Sequence, residues 1–103
     1  MATAAAVQVM RYWKVPCSVI AGATDSKLVD FQSGYEKALT INSAIQTGAN
    51  LITQAAGSQA SLMAVNYGAM VADNELIGIL FRSNIIPEIS DKTLMHELSL
   101  IHI

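Results

Sequence analysis

Side chains that could bind a charged small molecule are concentrated in one stretch of the chain, residues 21–37. This stretch supplies three carboxylates, two lysines and two aromatic rings. The rest of the chain is chemically quiet, because it shows no Ser/His/Asp set, no glycine-rich phosphate loop and no cluster of cysteine and histidine. We therefore expect any binding or catalytic chemistry to involve residues 21–37.

The elements on either side place this stretch on a loop between a strand and a helix. Residues 17–21 are apolar and bounded by Pro16 and Gly22, which predicts a short buried strand. Ile41 and Ile45, which follow the stretch, recur at helical spacing. Loops that leave the C-terminal ends of strands carry the chemistry of barrel and open-sheet α/β enzymes.

The sequence Ser33-Gly34-Tyr35-Glu36 fits a capping box, in which the Ser hydroxyl and the Glu carboxylate accept hydrogen bonds from unpaired backbone N–H groups. This predicts that the helix begins near Gly34 and that Glu36 serves the cap. Asp30 precedes the same helix N-terminus, where a negative charge is favourable by about 0.3–1 kcal/mol. Asp30 and Glu36 thus each have a structural explanation, whatever their role in binding.

Apolar spacing and turn residues predict the remaining elements. They indicate helices over 4–14, 34–47 and about 58–80, strands over 17–21 and 50–54, a break at 84–87 and a further helix cap at 90–91. Gly48 is expected to end the second helix in a left-handed conformation, and Gly68 to bend or split the third. Met63 and Met70 are expected to fill gaps in the core. The polar residues of the third helix are expected to form a solvated face or to contact a neighbouring helix: Asn66, Asp73, Asn74 and Glu75.

Composition excludes several classes of protein. The chain is 52% hydrophobic and 14% charged with a net charge of -2, which argues against disorder and against a nucleic-acid partner. It has no apolar run of about 18 residues and no signal-peptide pattern, so we predict no membrane span and a cytoplasmic location. The single cysteine, Cys17, is flanked by apolar residues and predicts a small buried side chain.

The element order predicts parallel βα units within a larger α/β protein. Two strands cannot bury helices on both faces, so we interpret residues 1–97 as a fragment of a domain. Residues 98–103, Leu-Ser-Leu-Ile-His-Ile, break the helical pattern and match a translated transposase adapter. We exclude this tail, and His102 with it, from the fold.

The motif AGATDSKLVDFQSGYEKAL, followed by TGANLI and then AAG, closely resembles the trimethylamine methyltransferase family. The likeness runs from about Val7 to about Leu94. It implies two consecutive βα units, with flanking helices, from the later half of a TIM (β/α)8 barrel. It also implies transfer of a methyl group from a methylated amine to the cobalt of a separate corrinoid protein, by an enzyme that is a homo-oligomer at full length. The corrinoid would be carried by that partner and not bound directly by this segment.

Trimethylamine-specific members of the family carry pyrrolysine near the start of this motif. The chain has standard residues there, 23–27, and so resembles the branch that demethylates quaternary amines such as betaines. A quaternary ammonium offers no N–H group, so carboxylates and aromatic faces must recognise it, with cation–π contacts of about 0.5–2 kcal/mol. By residue type and by place on the loop, these residues are candidates for donor binding: Asp25, Lys27, Asp30, Phe31, Gln32 and Tyr35, with Thr24 and Glu36 as secondary candidates. Lys27 could bind a carboxylate of the donor or pair with Asp25 or Asp30.

Two other interpretations remain open. The chain could belong to a different TIM-barrel enzyme, a lyase or aldolase whose Lys27 forms a Schiff base, although such a lysine normally lies in a desolvated interior. It could instead be a small non-enzymatic α/β binding module. Zinc-dependent methyl transfer is disfavoured within the segment, because Cys17 and His96 do not supply the usual ligand spacing.

Overall fold

The computed structural model of the chain describes residues 2–94. Its elements, in order, are α1 (Ala2–Tyr12), β1 (Ser18–Ile20), α2 (Phe31–Thr47), β2 (Leu51–Thr53), β3 (Ser58–Gln59), β4 (Ala64–Val65), α3 (Tyr67–Ser83) and α4 (Asp91–Leu94). His96 and the tail that we excluded lie outside the described residues. No helix within the described range has the length and hydrophobicity needed to cross a bilayer.

A parallel pair of strands forms the centre of the fold. Strand β1 pairs with β2 so that Ser18 lies opposite Leu51 and Ile20 opposite Thr53. Helix α2 connects the two strands, which gives the βαβ order that the sequence predicts. The core contains Ala21, Ile41 and Ala44, and partly buried apolar residues of β1, β2 and α3 pack against it. The C-terminal ends of both strands therefore lie at one edge, and the loops that follow them are neighbours.

Helix α2 begins three residues earlier than the capping box predicts. Asp30 is the N-cap, and its carboxylate accepts a hydrogen bond from the Ser33 backbone N–H at 2.9 Å. The predicted cap at Ser33 is wrong, because this residue already lies in the first helical turn with its side chain buried. The other end agrees with the prediction, since Gly48 adopts a left-handed φ of 82° and closes the helix.

The helix predicted over about 58–80 is wrong in its first third. Residues 58–65 form a short antiparallel hairpin, β3–β4, and α3 begins only at Tyr67, after the N-cap Asn66. The apolar residues of the hairpin happen to recur at helical spacing, but Leu62 and Val65 are exposed and so do not mark a buried helix face. Gly68 lies in the first turn of α3 and neither bends nor splits it.

The first helix, predicted over 4–14, spans Ala2–Tyr12 in the structure. Lys14 has a left-handed φ of 58°, so the helix cannot continue to it. Trp13 lies beyond the last helical residue and is 64% exposed, whereas Val7 of the predicted apolar face is fully buried. Arg11 joins α1 to α2 by donating a hydrogen bond to the Thr47 carbonyl oxygen at 3.1 Å. Short helix α4 starts where predicted, with the Ser90 hydroxyl accepting from the Thr93 N–H.

Many large apolar side chains are exposed within residues 2–94. Met63 is 87% exposed and Met70 is 42% exposed, so neither fills a gap in the core that the described residues form. Cys17, by contrast, is 8% exposed, as its apolar neighbours predict. The exposed set includes residues from every helix and from both parallel strands: Val9, Ile20, Leu39, Leu51, Val71, Ile79, Phe81 and Leu94 are examples.

Candidate functional site

The loops that follow β1 and β2 touch through their backbones. A Cβ atom placed on Gly22 would lie 2.7 Å from the Ala55 carbonyl oxygen and 2.9 Å from the Ala55 Cα. Gly22 also has a φ of 91°, which L-residues rarely adopt. Only glycine allows the loops to approach this closely. The contact brings the loop after β1, residues 21–30, beside the segment after β2, residues 54–66, at the C-terminal edge of the strands. These are called the first loop and the second loop below.

Glu36 of α2 holds the first loop in place. Its Oε2 atom accepts a hydrogen bond from the Thr24 hydroxyl at 2.6 Å and another from the Asp25 backbone N–H at 3.0 Å. Its Oε1 atom accepts from the Gln32 side-chain amide at 3.0 Å. Glu36 therefore serves neither the predicted capping box nor open solvent. It fixes the backbone of the loop at Asp25.

Hydrogen bonds lower the pKa of two carboxyl groups in this region. For Glu36, the Thr24 hydroxyl is the largest cause, followed by Gln32 and the Asp25 N–H, and together they hold the pKa below its ordinary value of 4.5. For Asp30, the Ser33 N–H and the Ser26 hydroxyl hold the pKa below 3.8. Both groups accept hydrogen bonds as anions, which the lowered pKa values reflect.

The hairpin turn of the second loop binds the first loop. Ala60 and Ser61 donate backbone hydrogen bonds to the carbonyl oxygens of Ser26 and Thr24, at 2.9 and 2.8 Å. The Ser61 hydroxyl donates to the Asp25 carboxylate. Three consecutive residues of this turn, 60–62, have left-handed φ values of 50°, 55° and 72°, each at a steric cost of about 1–2 kcal/mol. The loop-to-loop hydrogen bonds offset part of that cost.

A buried ion pair lies behind the loops. Lys37 is fully buried on α2, and its Nζ atom lies 2.5 Å from Oδ2 of Asp73, which is 5% exposed on α3. The same oxygen accepts the Gly57 backbone N–H at 2.8 Å. Of the two roles that the sequence left open for Asp73, contact with a neighbouring helix is correct, while Asn74 and Glu75 are exposed to solvent. The group ties α2, α3 and the second loop together.

Sequence reasoning missed this pair, although a signal for it exists. The buried residues of α2 are Ser33, Lys37, Ile41 and Ala44, which recur every three or four residues. A lysine on such a buried stripe requires an acidic partner from another element, because an unpaired buried charge is strongly unfavourable. Lys37 could thus have been identified as buried from its spacing, but the identity of Asp73 could not.

Gln59 of β3 lies next to this polar group and is only 2% exposed. Its Oε1 atom accepts a hydrogen bond from the Ser33 hydroxyl at 3.3 Å. Its Nε2 atom is buried, and no acceptor within the described part of the chain reaches it. A buried donor without a partner costs about 1–3 kcal/mol, so this amide is a local weak point of the hairpin.

The candidates for donor binding fall into two groups in the structure. Six are exposed side chains around the first loop and the start of α2: Asp25, Lys27, Asp30, Phe31, Gln32 and Tyr35. The rings of Phe31 and Tyr35 form a tilted pair with centroids 5.4 Å apart. The other two, Thr24 and Glu36, are less exposed and are joined by a hydrogen bond, while the Asp30 carboxylate caps α2. Their participation in donor binding stays a prediction.

The described residues offer few other reactive arrangements. Between residues 2 and 94, no three His, Cys, Asp or Glu side chains cluster in a way that could hold a metal ion. Lys27 is exposed among the described residues, whereas a Schiff-base lysine requires desolvated surroundings. The first loop and the start of α2 do present an exposed carboxylate, a lysine and two aromatic rings.

Comparison with known proteins agrees with these motifs. A family model described as trimethylamine methyltransferase (MTTB) matches residues 1–96. Because this match covers most of the chain, the chain belongs to the trimethylamine methyltransferase family, as its sequence motifs predict.

Among curated proteins, the glycine betaine methyltransferase of Desulfitobacterium hafniense (strain Y51) is 38% identical to the chain over 76 residues. The aligned region covers 74% of this chain and 16% of that relative. The chain thus spans about a sixth of the length of the curated relative that it matches.

Proposed function

We propose that the chain is a segment of a methyltransferase that moves a methyl group from a quaternary or tertiary amine to the cobalt of a corrinoid protein. The observation that carries this proposal is the family match over residues 1–96. A betaine-like donor is favoured over trimethylamine, because the motif at 23–27 has only standard residues and a 38% identical relative is named for glycine betaine.

The proposed transfer needs little acid–base chemistry from the protein. The C–N bond breaks with its electron pair remaining on nitrogen, and the electron pair of reduced cobalt forms the new bond to the methyl carbon. A quaternary nitrogen leaves as a neutral amine, so no group has to protonate it. The protein must orient the donor and exclude water. This requirement fits a segment in which Glu36, Lys37 and Asp73 are engaged in contacts between loops and helices.

The exposed residues of the first loop would bind the donor. Asp25 would pair with the cationic nitrogen, and the faces of Phe31 and Tyr35 would contact its methyl groups at about 0.5–2 kcal/mol each. Lys27 would pair with the carboxylate of a betaine-like donor, and Gln32 supports the loop through its hydrogen bond to Glu36. In the proposed barrel, β1 and β2 are two of the eight strands and these residues lie at their C-terminal ends.

The full-length enzyme, purified and mixed with reduced corrinoid protein, tests the proposal. We expect methyl-cobalt absorbance with at least one betaine from a panel of quaternary and tertiary amines. Methyl iodide, which methylates reduced cobalt without an enzyme, is the control for a competent acceptor. No absorbance with any amine, while methyl iodide still reacts, would contradict the proposal.

A further inference from the structure

We propose that Ser61 is a positioning residue that holds the Asp25 carboxylate where it meets the cationic nitrogen of the donor. This inference rests on the proposed function and deepens it, because it adds a residue of the second loop to a donor site otherwise formed by the first. Ser61 does not itself contact the donor in this proposal.

Two contacts fix the position of Asp25. Its backbone N–H donates to Glu36 Oε2 at 3.0 Å, and its Oδ1 atom accepts the hydroxyl hydrogen of Ser61, 36 positions further along the chain. Within residues 2–94, its second carboxylate oxygen accepts no hydrogen bond, and the side chain is exposed. Asp25 is therefore held from two elements and still presents one free oxygen outward.

The backbone around Ser61 adopts an unfavourable conformation. Residues 60–62 are all left-handed although none is glycine, a conformation that L-residues adopt only when the surrounding structure imposes it. Two backbone hydrogen bonds to Ser26 and Thr24 hold this turn against the first loop. In this conformation of residues 60–62, the Ser61 hydroxyl reaches the Asp25 carboxylate. Strained backbone of this kind clusters at functional sites.

The charge of the donor determines how the loss of Ser61 should appear in kinetics. A quaternary nitrogen is fully cationic when bound and becomes neutral as the methyl group leaves. A fixed carboxylate therefore stabilises the bound donor more than the transition state. Loosening that carboxylate should raise KM without lowering kcat. A residue that only supported the fold would instead lower kcat together with the amount of folded enzyme.

The test uses the full-length enzyme with Ser61→Ala, Ser61→Gly and, as a matched control, Ser83→Ala. The Ser83 hydroxyl donates only to the Leu80 carbonyl within α3, far along the chain from the loops. We expect Ser61→Ala to raise KM for the amine about 3–10-fold, the value of one lost hydrogen bond, with kcat within about two-fold of wild type. Ser61→Gly, which also lacks the hydroxyl but adopts the left-handed φ without steric cost, should raise KM by the same factor, and Ser83→Ala should change neither constant.

An unchanged KM in Ser61→Ala or in Ser61→Gly overturns the inference, as does a parallel fall in kcat and thermal stability in both variants. The proposed function fails separately, when the wild-type enzyme methylates cobalt from no amine. In that case, calorimetric titration with glycine betaine in the absence of corrinoid still tests the inference. Equal affinity of wild type and Ser61→Ala, or no binding by either, then overturns it.

Discussion

Glu36 is the residue on which the first loop most depends, since two side chains and one backbone N–H donate to its carboxylate. A capping-box pattern drew attention to this residue for a different reason. The pattern correctly marks Glu36 as structural, but the partner is the loop that precedes the helix and not the helix N-terminus. The local sequence alone does not distinguish these two outcomes, because the loop folds back over eleven to twelve residues.

Thr24→Val should raise the pKa of Glu36, because it removes the hydroxyl that contributes most to lowering it. Since the pKa of Glu36 is lowered in the folded protein, its stabilising contribution is present above about 4.5 and is lost as pH falls through the folded pKa. In Thr24→Val the loss should begin at a higher pH. Glutamate carboxyl 13C shifts followed against pH in the full-length enzyme measure this. Thr47→Val, whose hydroxyl bonds only within α2, should leave Glu36 unchanged; an equal effect of both would contradict the assignment.

Gly22→Ala and Gly34→Ala should change stability in opposite directions. At Gly22 an added methyl group would meet the Ala55 backbone at a positive φ, so we expect a loss of at least about 1–2 kcal/mol. At Gly34, on the exposed side of α2, nothing lies within 4 Å, so alanine should stabilise by about 0.5–1 kcal/mol. Denaturant midpoints of the full-length variants measure both. A neutral Gly22→Ala would mean that the two loops do not touch as described.

At the scale of elements, substitutions of Lys37 and Asp73 should have non-additive effects on the free energy of unfolding. Lys37→Met leaves a buried carboxylate with only the Gly57 N–H and should destabilise the protein by about 3–5 kcal/mol. Adding Asp73→Leu removes that charge. The double variant should then remain less stable than wild type only by about 1–3 kcal/mol, the cost of the unpaired Gly57 N–H. Denaturant midpoints of the two single variants and the double variant give the coupling. Additive losses would show that the two side chains do not interact.

The elements that the sequence predicted well are those with their own local signals. Strands β1 and β2 and the end of α2 at Gly48 follow from apolar runs and turn residues, and the structure places them within one or two residues of the prediction. The hairpin at 58–65 was missed because its conformation depends on contacts with the first loop. Left-handed φ values at alanine, serine and leucine have no sequence signal at all.

The candidate site divides in the same way. The stretch at residues 21–37 was identified from composition and position, since its charged residues stand out from a largely apolar chain. The hydrogen bond from Ser61 to Asp25 and the pairing of Lys37 with Asp73 could not be predicted, because each joins positions 36 residues apart. Such contacts follow from the packing of two βα units and not from the spacing within either of them.

At the scale of the whole molecule, the described residues bury little of their apolar surface. The Cα radius of gyration is 17.9 Å, compared with about 13 Å for a compact domain of 100 residues. Exposed apolar residues on β1 and β2, such as Ile20 and Leu51, would be covered by neighbouring strands and helices in the proposed barrel. The exposed apolar surface therefore supports a segment of a larger domain over a free-standing module.

We accordingly expect residues 1–97, expressed alone, to bind the dye ANS and to form concentration-dependent aggregates. Dye fluorescence and sedimentation velocity measure these properties, with the full-length enzyme as the control that shows neither. A monomer that excludes the dye and unfolds cooperatively on heating would favour the non-enzymatic α/β module instead.

The close backbone contact between Gly22 and Ala55 has a practical consequence for building hybrids of the proposed methyltransferase with its relatives. A crossover point placed between the two strands would combine one parent's first loop with the other parent's second, and the joined surfaces would have evolved apart. Crossover points before Cys17 and after Ser83 would instead transfer the interlocked loops as one cassette. Donor preference should then be inherited together with that cassette.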